Sequence, residues 1–187
     1  MQAARTLFAR QGIDNTRINA ITDEADVGFG SFYNHFESKA AIVEAVLIET
    51  VAAHGAAVDA ATAQLDDPAE VIAAAHRHFV RLADRDPEWA WLVVRADVSH
   101  QVVVAALGPF AERDVRRGVE ARRLSVADER IALYGAGGAL LGLMRAILDG
   151  QAPEDADIHH AEGVLRLLGL TSGDAAEVAR RPLPPLR

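Results

Sequence analysis

The chain contains no cysteine among its 187 residues. That excludes a disulfide-stapled secreted module, thiolate metal sites and any cysteine nucleophile. Its first residues, Met1 to Phe8, lack the apolar core of a signal peptide and are interrupted by Arg5. Long apolar runs are also missing. The longest, Ile131 to Met144, has 14 residues between Arg130 and Arg145. It falls short of the ~20 that a bilayer demands and suits a buried core helix. A soluble, cytoplasmic protein with no membrane association is the expectation. Positive charge is scarce too: 19 Lys plus Arg stand against 27 Asp plus Glu, for a net charge of −8. At first sight this argues against a nucleic-acid partner.

What is present points to one domain, or two small ones sharing a core, since half of the residues are apolar and the length is ample for burial. Ala, Leu, Arg and Glu are abundant, and no Thr/Val/Tyr-rich alternating segment is bounded by turn signals, so the fold class is all-α. Ala4, Leu7, Phe8 and Gln11 share helical spacing and stop at Gly12, a residue that accepts positive φ freely. Thr16 is a candidate N-cap for a short helix with Ile18, Ile21 and Ala25 on one face. A turn through Ala25, Asp26 and Val27 leads to a third helix, 28–34, and Ser38 can cap a fourth reaching about Ala63. Asp67-Pro68 and Asp86-Pro87 each pair a capping Asp with Pro at the first helical position. Ser125 with Asp128 suggests a further helix start, ending at Gly150, and a last helix runs from near Pro153 to Leu168 at Gly169. The total is about nine helices. Residues 173–187 end in the Pro-rich Arg180 to Arg187 and read as a disordered tail.

The informative stretch is Thr16 to Lys39, TRINAITDEADVGFGSFYNHFESK. Two short helices joined by a tight turn, the second with small and polar residues between aromatic ones, form a helix-turn-helix able to enter a major groove. Residues 3–47 resemble the N-terminal domain of TetR-family transcriptional regulators. The match is carried by Ala3, Ala4, Leu7, Phe8, Gly12, Thr16, Ile21, Ala25 and the run Val27 to Lys39. It covers about a quarter of the chain strongly; beyond residue 50 only helix order and length agree.

By position, this resemblance implies that 28–35 is the recognition helix. Gly28 and Gly30 would let the backbone approach DNA, and Ser31 would reach a base edge or phosphate. Tyr33 and His35 would bond phosphates, and Asn34 would read adenine. Lys39 would neutralise a phosphate, with Thr16 and Arg17 on the other flank. Phe32 and Phe36, at i and i+4, belong to the core. Phe29 stays open, because spacing places it with those rings whereas the resemblance turns its position toward DNA. Alone, Lys39 would be a solvated surface charge and Thr16 simply a cap. The family's first helix usually begins a turn or more earlier, often behind a basic arm, so this chain is expected to start within a longer native one. Thr22 departs from the family's usual Ala.

The resemblance further implies that 1–47 binds DNA and that 48–172 binds a small-molecule effector and forms a homodimer. Small residues Gly138 and Gly142, four apart in a long helix, independently suggest close helix approach, with Leu141, Arg145, Leu165 and Leu168 beside them; packing within the chain is the alternative. Such a dimer sets its recognition helices about 34–36 Å apart and implies a palindromic operator. Candidate ligand-binding residues are His76, Phe79, Trp89, Trp91, Arg95, His100, Phe110 and Tyr134, all of which core packing also accommodates. His76 and His78 occupy different helix faces and His159 and His160 diverge, so neither makes a metal pair by itself. Arg113, Arg116, Arg117, Arg122 and Arg123 interleave with Glu112, Asp114 and Glu120, as on a solvated, ion-paired helix. No nucleophile elbow or phosphate cradle is present, and no catalytic residue, cofactor or metal is expected.

The reading is a ligand-responsive repressor, released from DNA by a small apolar or amphipathic molecule, rather than an enzyme. A helical small-molecule carrier or enzyme with a structural N-terminal unit is the alternative, as is an adaptor pairing through the Gly138/Gly142 helix. Residues 1–47 hold four basic groups against six acids, so specific groove contacts must outweigh general attraction to DNA.

Overall fold

The computed structural model describes the backbone of residues 1–95 and 99–186 and, within that range, the side chains of all but Glu88, Leu92, Arg95, Ser99 and His100. Its regular structure is helical throughout. The order is α1 (Gln2–Gln11), α2 (Ile18–Glu24), α3 (Phe29–Tyr33), α4 (Lys39–Thr62) and α5 (Pro68–Arg85), then α6 (Pro87–Arg95), α7 (Ser99–Glu120), α8 (Glu129–Leu148), α9 (Ala156–Leu167) and α10 (Ser172–Ala179). Two compact units divide at Thr50 and Val51, a boundary that falls inside the continuous helix α4.

The first unit is built on one small core: Ala4, Leu7 and Phe8 of α1, Ile21 of α2, Phe32 of α3, and Ile42 and Val46 of α4. These are the apolar positions that helical spacing selects, with Phe32 buried and Phe36 half-buried against it. Helix α2 ends with Asp26 in the left-handed region, φ 52°, while the Val27 N–H donates to the Thr22 carbonyl at 3.0 Å and the Asp26 N–H to Asp23 at 3.1 Å. This six-to-one closure satisfies two orphan carbonyls and sets the tight turn into α3. The same closure recurs at Arg122 after α7, Gly150 after α8 and Gly169 after α9.

The second unit is centred on α5, which packs most extensively against α9 and also meets α7, α8 and α10. Asp67 caps α5 by accepting from the Ala69 N–H at 3.0 Å with Pro68 at the first position, and Asp86 caps α6 likewise through the Trp89 N–H at 2.9 Å. Helix α8 begins later than Ser125 suggests. Its cap is Asp128, which accepts from the Ile131 N–H at 2.9 Å, and the Ser125 N–H instead donates to the Leu168 carbonyl.

Residues 173–187 correct the expectation of disorder. Most of α10 lies there, with Ala175, Val178 and Ala179 buried in the core. Beyond it Arg181 pairs with Asp67 at 3.1 Å, Glu70 at 2.7 Å and Glu177 at 3.1 Å, and its carbonyl accepts from Arg77 at 2.7 Å. Proline content forbids helix after residue 181 but does not forbid an extended segment anchored by such bonds.

Leu165 and Leu168, offered as interface residues, are corrected as well: they are 0% and 1% exposed within the core of the second unit. By length and composition α4 and α8 are long and apolar enough to cross a membrane, because the 14-residue apolar run of α8 is extended at both ends. One stripe of α8, Ala132, Ala136, Leu140 and Met144, is buried in this unit. The opposite stripe is exposed, including Ile131, Gly138 and Gly142.

Gly169 tests the closure after α9. Its φ is +94°, and a Cβ there would lie 2.2 Å from the Ser125 carbonyl oxygen. Gly169→Ala is expected to cost about 3 kcal/mol through positive-φ strain plus a backbone clash, read as a lowered urea midpoint at unchanged m-value.

Candidate functional site

The first unit exposes Arg17, Gly28, Phe29, Gly30, Tyr33, Asn34 and His35, with Ser31 and Lys39 partly covered. Val27, Phe29 and Tyr33 are large apolar groups left in solvent around α3, at 46%, 50% and 52% exposure. Phe29 therefore lies outside the core, and its ring meets Tyr33 edge-on at 5.5 Å while Tyr33 meets Phe32 at 5.3 Å. Two exposed rings on a short helix that contains Gly30 and is capped by Gly28 are unusual for a free surface and suited to a partner's groove. Lys39 is steadied by donating to the Asp14 carbonyl at 3.4 Å, which leaves ammonium donors over.

Thr16 departs from expectation. It is fully buried, its hydroxyl donates to the Gly12 carbonyl at 2.7 Å, and the N-cap position of α2 is Arg17. Its side chain is thus a lock on the α1–α2 loop, and it cannot reach a phosphate. Ser38 does cap α4, accepting from the Ala41 N–H at 3.1 Å.

In the second unit a cavity of about 390 Å³ is enclosed by α4, α5, α7 and α8. Of the candidate ligand residues, His76, Phe79, Phe110 and Tyr134 line it. Trp89 and Trp91 do not. Trp89 is buried beside Phe79 and His54, at ring separations of 6.5 and 6.2 Å, and Trp91 lies near the surface under the Arg145 guanidinium at 4.8 Å. The side chains of Arg95 and His100 lie outside the described residues.

Apolar side chains such as Val58, Ile72, Val103, Leu107 and Leu140 make most of the wall. Its acidic part was not foreseen from the sequence. Asp59 of α4 and Asp114 of α7 both line the cavity, and Arg113 bridges them at 2.5 and 2.7 Å. Each carboxylate keeps its Oδ2 without a hydrogen bond among the described residues. Burial pushes the Asp114 carboxyl up, partly opposed by the hydrogen bonds and charge of Arg113. Arg113 belongs to the Arg-rich run read as a solvated, ion-paired helix. Its bonds reach other elements: Arg117 donates to the Asp66 carbonyl at 2.9 Å and Arg123 pairs with Asp67 at 3.0 Å. Long-range partners of this kind leave no periodic signal. At the exposed edge of the cavity Arg130 hydrogen-bonds Tyr134.

The matches to known proteins accord with this geometry. Residues 1–46 match the model of bacterial regulatory proteins of the tetR family, and residues 67–181 match the tetracyclin repressor-like C-terminal domain. The chain belongs to the TetR family. RolR bound to resorcinol is 36% identical, with a TM-score of 0.88 over 100% of this chain and 93% of that one. RolR without ligand is 35% identical, with a TM-score of 0.85 over 100% and 97%. The transcriptional repressor KstR2 of Mycolicibacterium smegmatis is 45% identical over 47 residues, which span 25% of this chain and just 23% of that protein. Like other TetR-family members, this protein is a transcriptional regulator, not an enzyme.

Two half-buried histidines of the second unit give the regulator a pH signature. His76 and His160 are held neutral, far below the ordinary imidazole range: His76 by burial and then by His160, His160 by burial. Below the ordinary value of 6.5 the unfolded chain binds protons that the folded one refuses, so stability falls with falling pH. The thermal midpoint is expected to drop steadily from pH 6.5 toward pH 4. The His76→Phe/His160→Phe double variant should flatten that slope in calorimetry across the same range.

Proposed function

We propose that the protein is a homodimeric, effector-released repressor that reads a palindromic operator and responds to a small hydroxylated aromatic molecule. One observation carries the reading: a single continuous helix, α4, supplies Lys39 and core residues Ile42 and Val46 to the first unit and Gly55, Val58, Asp59 and Thr62 to the cavity wall in the second. An effector that repositions the cavity end of α4 acts on the same helix that carries Lys39, so effector and operator bind with reciprocal, opposed affinities.

The Arg17, Gly28 to His35 and Lys39 surface reads DNA in this proposal, with Phe29 against a thymine methyl and Asn34 available to adenine. The unit is acidic in balance, so the slope of log affinity against log salt is a few units per dimer. The exposed stripe of α8, where Gly138 and Gly142 meet nothing within 4 Å of an added Cβ, pairs with its copy, with Leu141 and Arg145 beside it. The effector class follows from the cavity. Carboxylates Asp59, Glu112 and Asp114 outnumber the one lining guanidinium, Arg130, which disfavours anions, and the open Oδ2 atoms accept ligand hydroxyls. The size is ordinary for a small-molecule pocket, and the resorcinol bound by RolR has this chemistry.

Anisotropy with a selected operator tests the DNA face: Tyr33→Ala or Lys39→Ala should weaken binding about tenfold, the loss of roughly one charge-assisted bond, with helicity retained. Unchanged affinity in both would remove α3 from the interface. Gly142→Arg should convert a dimer to a monomer in native mass spectrometry and abolish operator binding. Resorcinol should release the wild-type operator complex. Asp114→Ala should shift that response at least about tenfold to higher concentration without loss of operator affinity. Release by resorcinol that is indifferent to Asp114→Ala would place the effector elsewhere.

A further inference from the structure

The cavity wall holds a second polar element besides the Asp59–Arg113–Asp114 cluster. His76 of α5 and His160 of α9, far apart in sequence, bring Nδ1 of the first within 2.9 Å of Nε2 of the second, with ring centroids 5.0 Å apart. His76 lines the cavity. Its Nε2 makes no hydrogen bond among the described residues. Nε2 of His54 and of His78 is buried without a partner, whereas His76 is a residue of the cavity wall.

Both rings are neutral, so each carries one N–H and the 2.9 Å contact holds a single proton. Two arrangements satisfy it. If His160 Nε2–H donates, His76 must carry its own proton on Nε2, and His160 Nδ1 is a bare lone pair. If His76 Nδ1–H donates, His76 Nε2 is the lone pair, and His160 carries its proton on Nδ1. The character of His76 Nε2 therefore fixes the opposite character at His160 Nδ1, on another helix. The proton count of the pair is the same in both forms. In the change from the second to the first, one proton crosses the contact, one is taken up at His76 Nε2 and one is released at His160 Nδ1, both by way of solvent water.

We propose that His76 and His160 form a tautomer relay: a neutral cavity ligand bonds Nε2 of His76 and, by presenting a donor or an acceptor, sets the hydrogen-bonding polarity of His160 on α9. The pair makes His76 a ligand-binding residue that accommodates hydroxyl and carbonyl ligands alike. The inference rests on the cavity being the effector site, as proposed above.

The test is 15N NMR of the full chain labelled at histidine, with phenol as a hydroxyl donor and cyclohexanone as a carbonyl acceptor. Phenol should place the protons on Nδ1 of both rings, and cyclohexanone should place them on Nε2 of both. His76→Phe should weaken both probes about tenfold. The same tautomers with both probes, histidine signals that neither probe moves, or a His76→Phe protein with unaltered affinities would each overturn the relay. The wild-type spectra decide the matter even if the variant fails to fold. Operator release is scored separately. Tautomer switching without release leaves the relay standing and removes the effector reading, whereas release without tautomer switching does the reverse.

Discussion

Helix α5 is buried along most of its length yet carries His76, Arg77 and His78 in succession, and the second unit is arranged around the partners of Arg77. Burying a guanidinium costs several kcal/mol unless it is paired and fully hydrogen-bonded. Arg77 meets that demand with Asp157 at 3.1 Å and the Arg181 carbonyl at 2.7 Å, and Arg81 adds a second bond to the same carboxylate at 2.8 Å. Burial alone would raise the Asp157 carboxyl, but the two guanidiniums outweigh it and hold it low. One ion triad thereby fixes the register of α9 on α5 and draws the chain end across both. His78 is oriented by the Pro184 carbonyl, so the proline tail is a structural element.

The same constraint builds the cavity. Helices α5 and α9 are held together by charge, and the histidine pair one residue from Arg77 spans them at 2.9 Å. On the far side α7 is tied to α4 through Arg113 and Asp59. Rigid polar ties around an apolar hollow keep the hollow open instead of letting side chains collapse into it. A cavity so framed, on a helix that also belongs to the helix-turn-helix unit, is what a ligand-operated regulator requires.

Local rules were legible where local energetics dominate. Helix starts at Asp67-Pro68, Asp86-Pro87 and Ser38 were readable because a cap bonds within three residues of itself. Helix stops at Gly12, Gly150 and Gly169 were readable because glycine meets positive φ cheaply. Asp26 and Arg122 make the same closure without glycine; the turn at Asp26 was readable but the stop at Arg122 was not, since hydrogen bonding in the closed turn, not residue type, offsets the steric cost. Ser125 misled because Asp128 offers the better-placed oxygen. Thr16 misled because loop geometry turned its hydroxyl inward.

By itself the sequence determined the all-helical class, the core of the first unit and the family resemblance, because helical period and a dense local motif survive without long-range information. Only tertiary structure decided which polar residues meet. Asp59 with Arg113, His76 with His160, and Arg77 with Asp157 join positions 54, 84 and 80 residues apart. It also decided that Leu165 and Leu168 are core while Gly138 and Gly142 face outward. The reason is physical: periodicity says that a helix has an apolar face, but which neighbour covers that face depends on how the whole chain buries its charges.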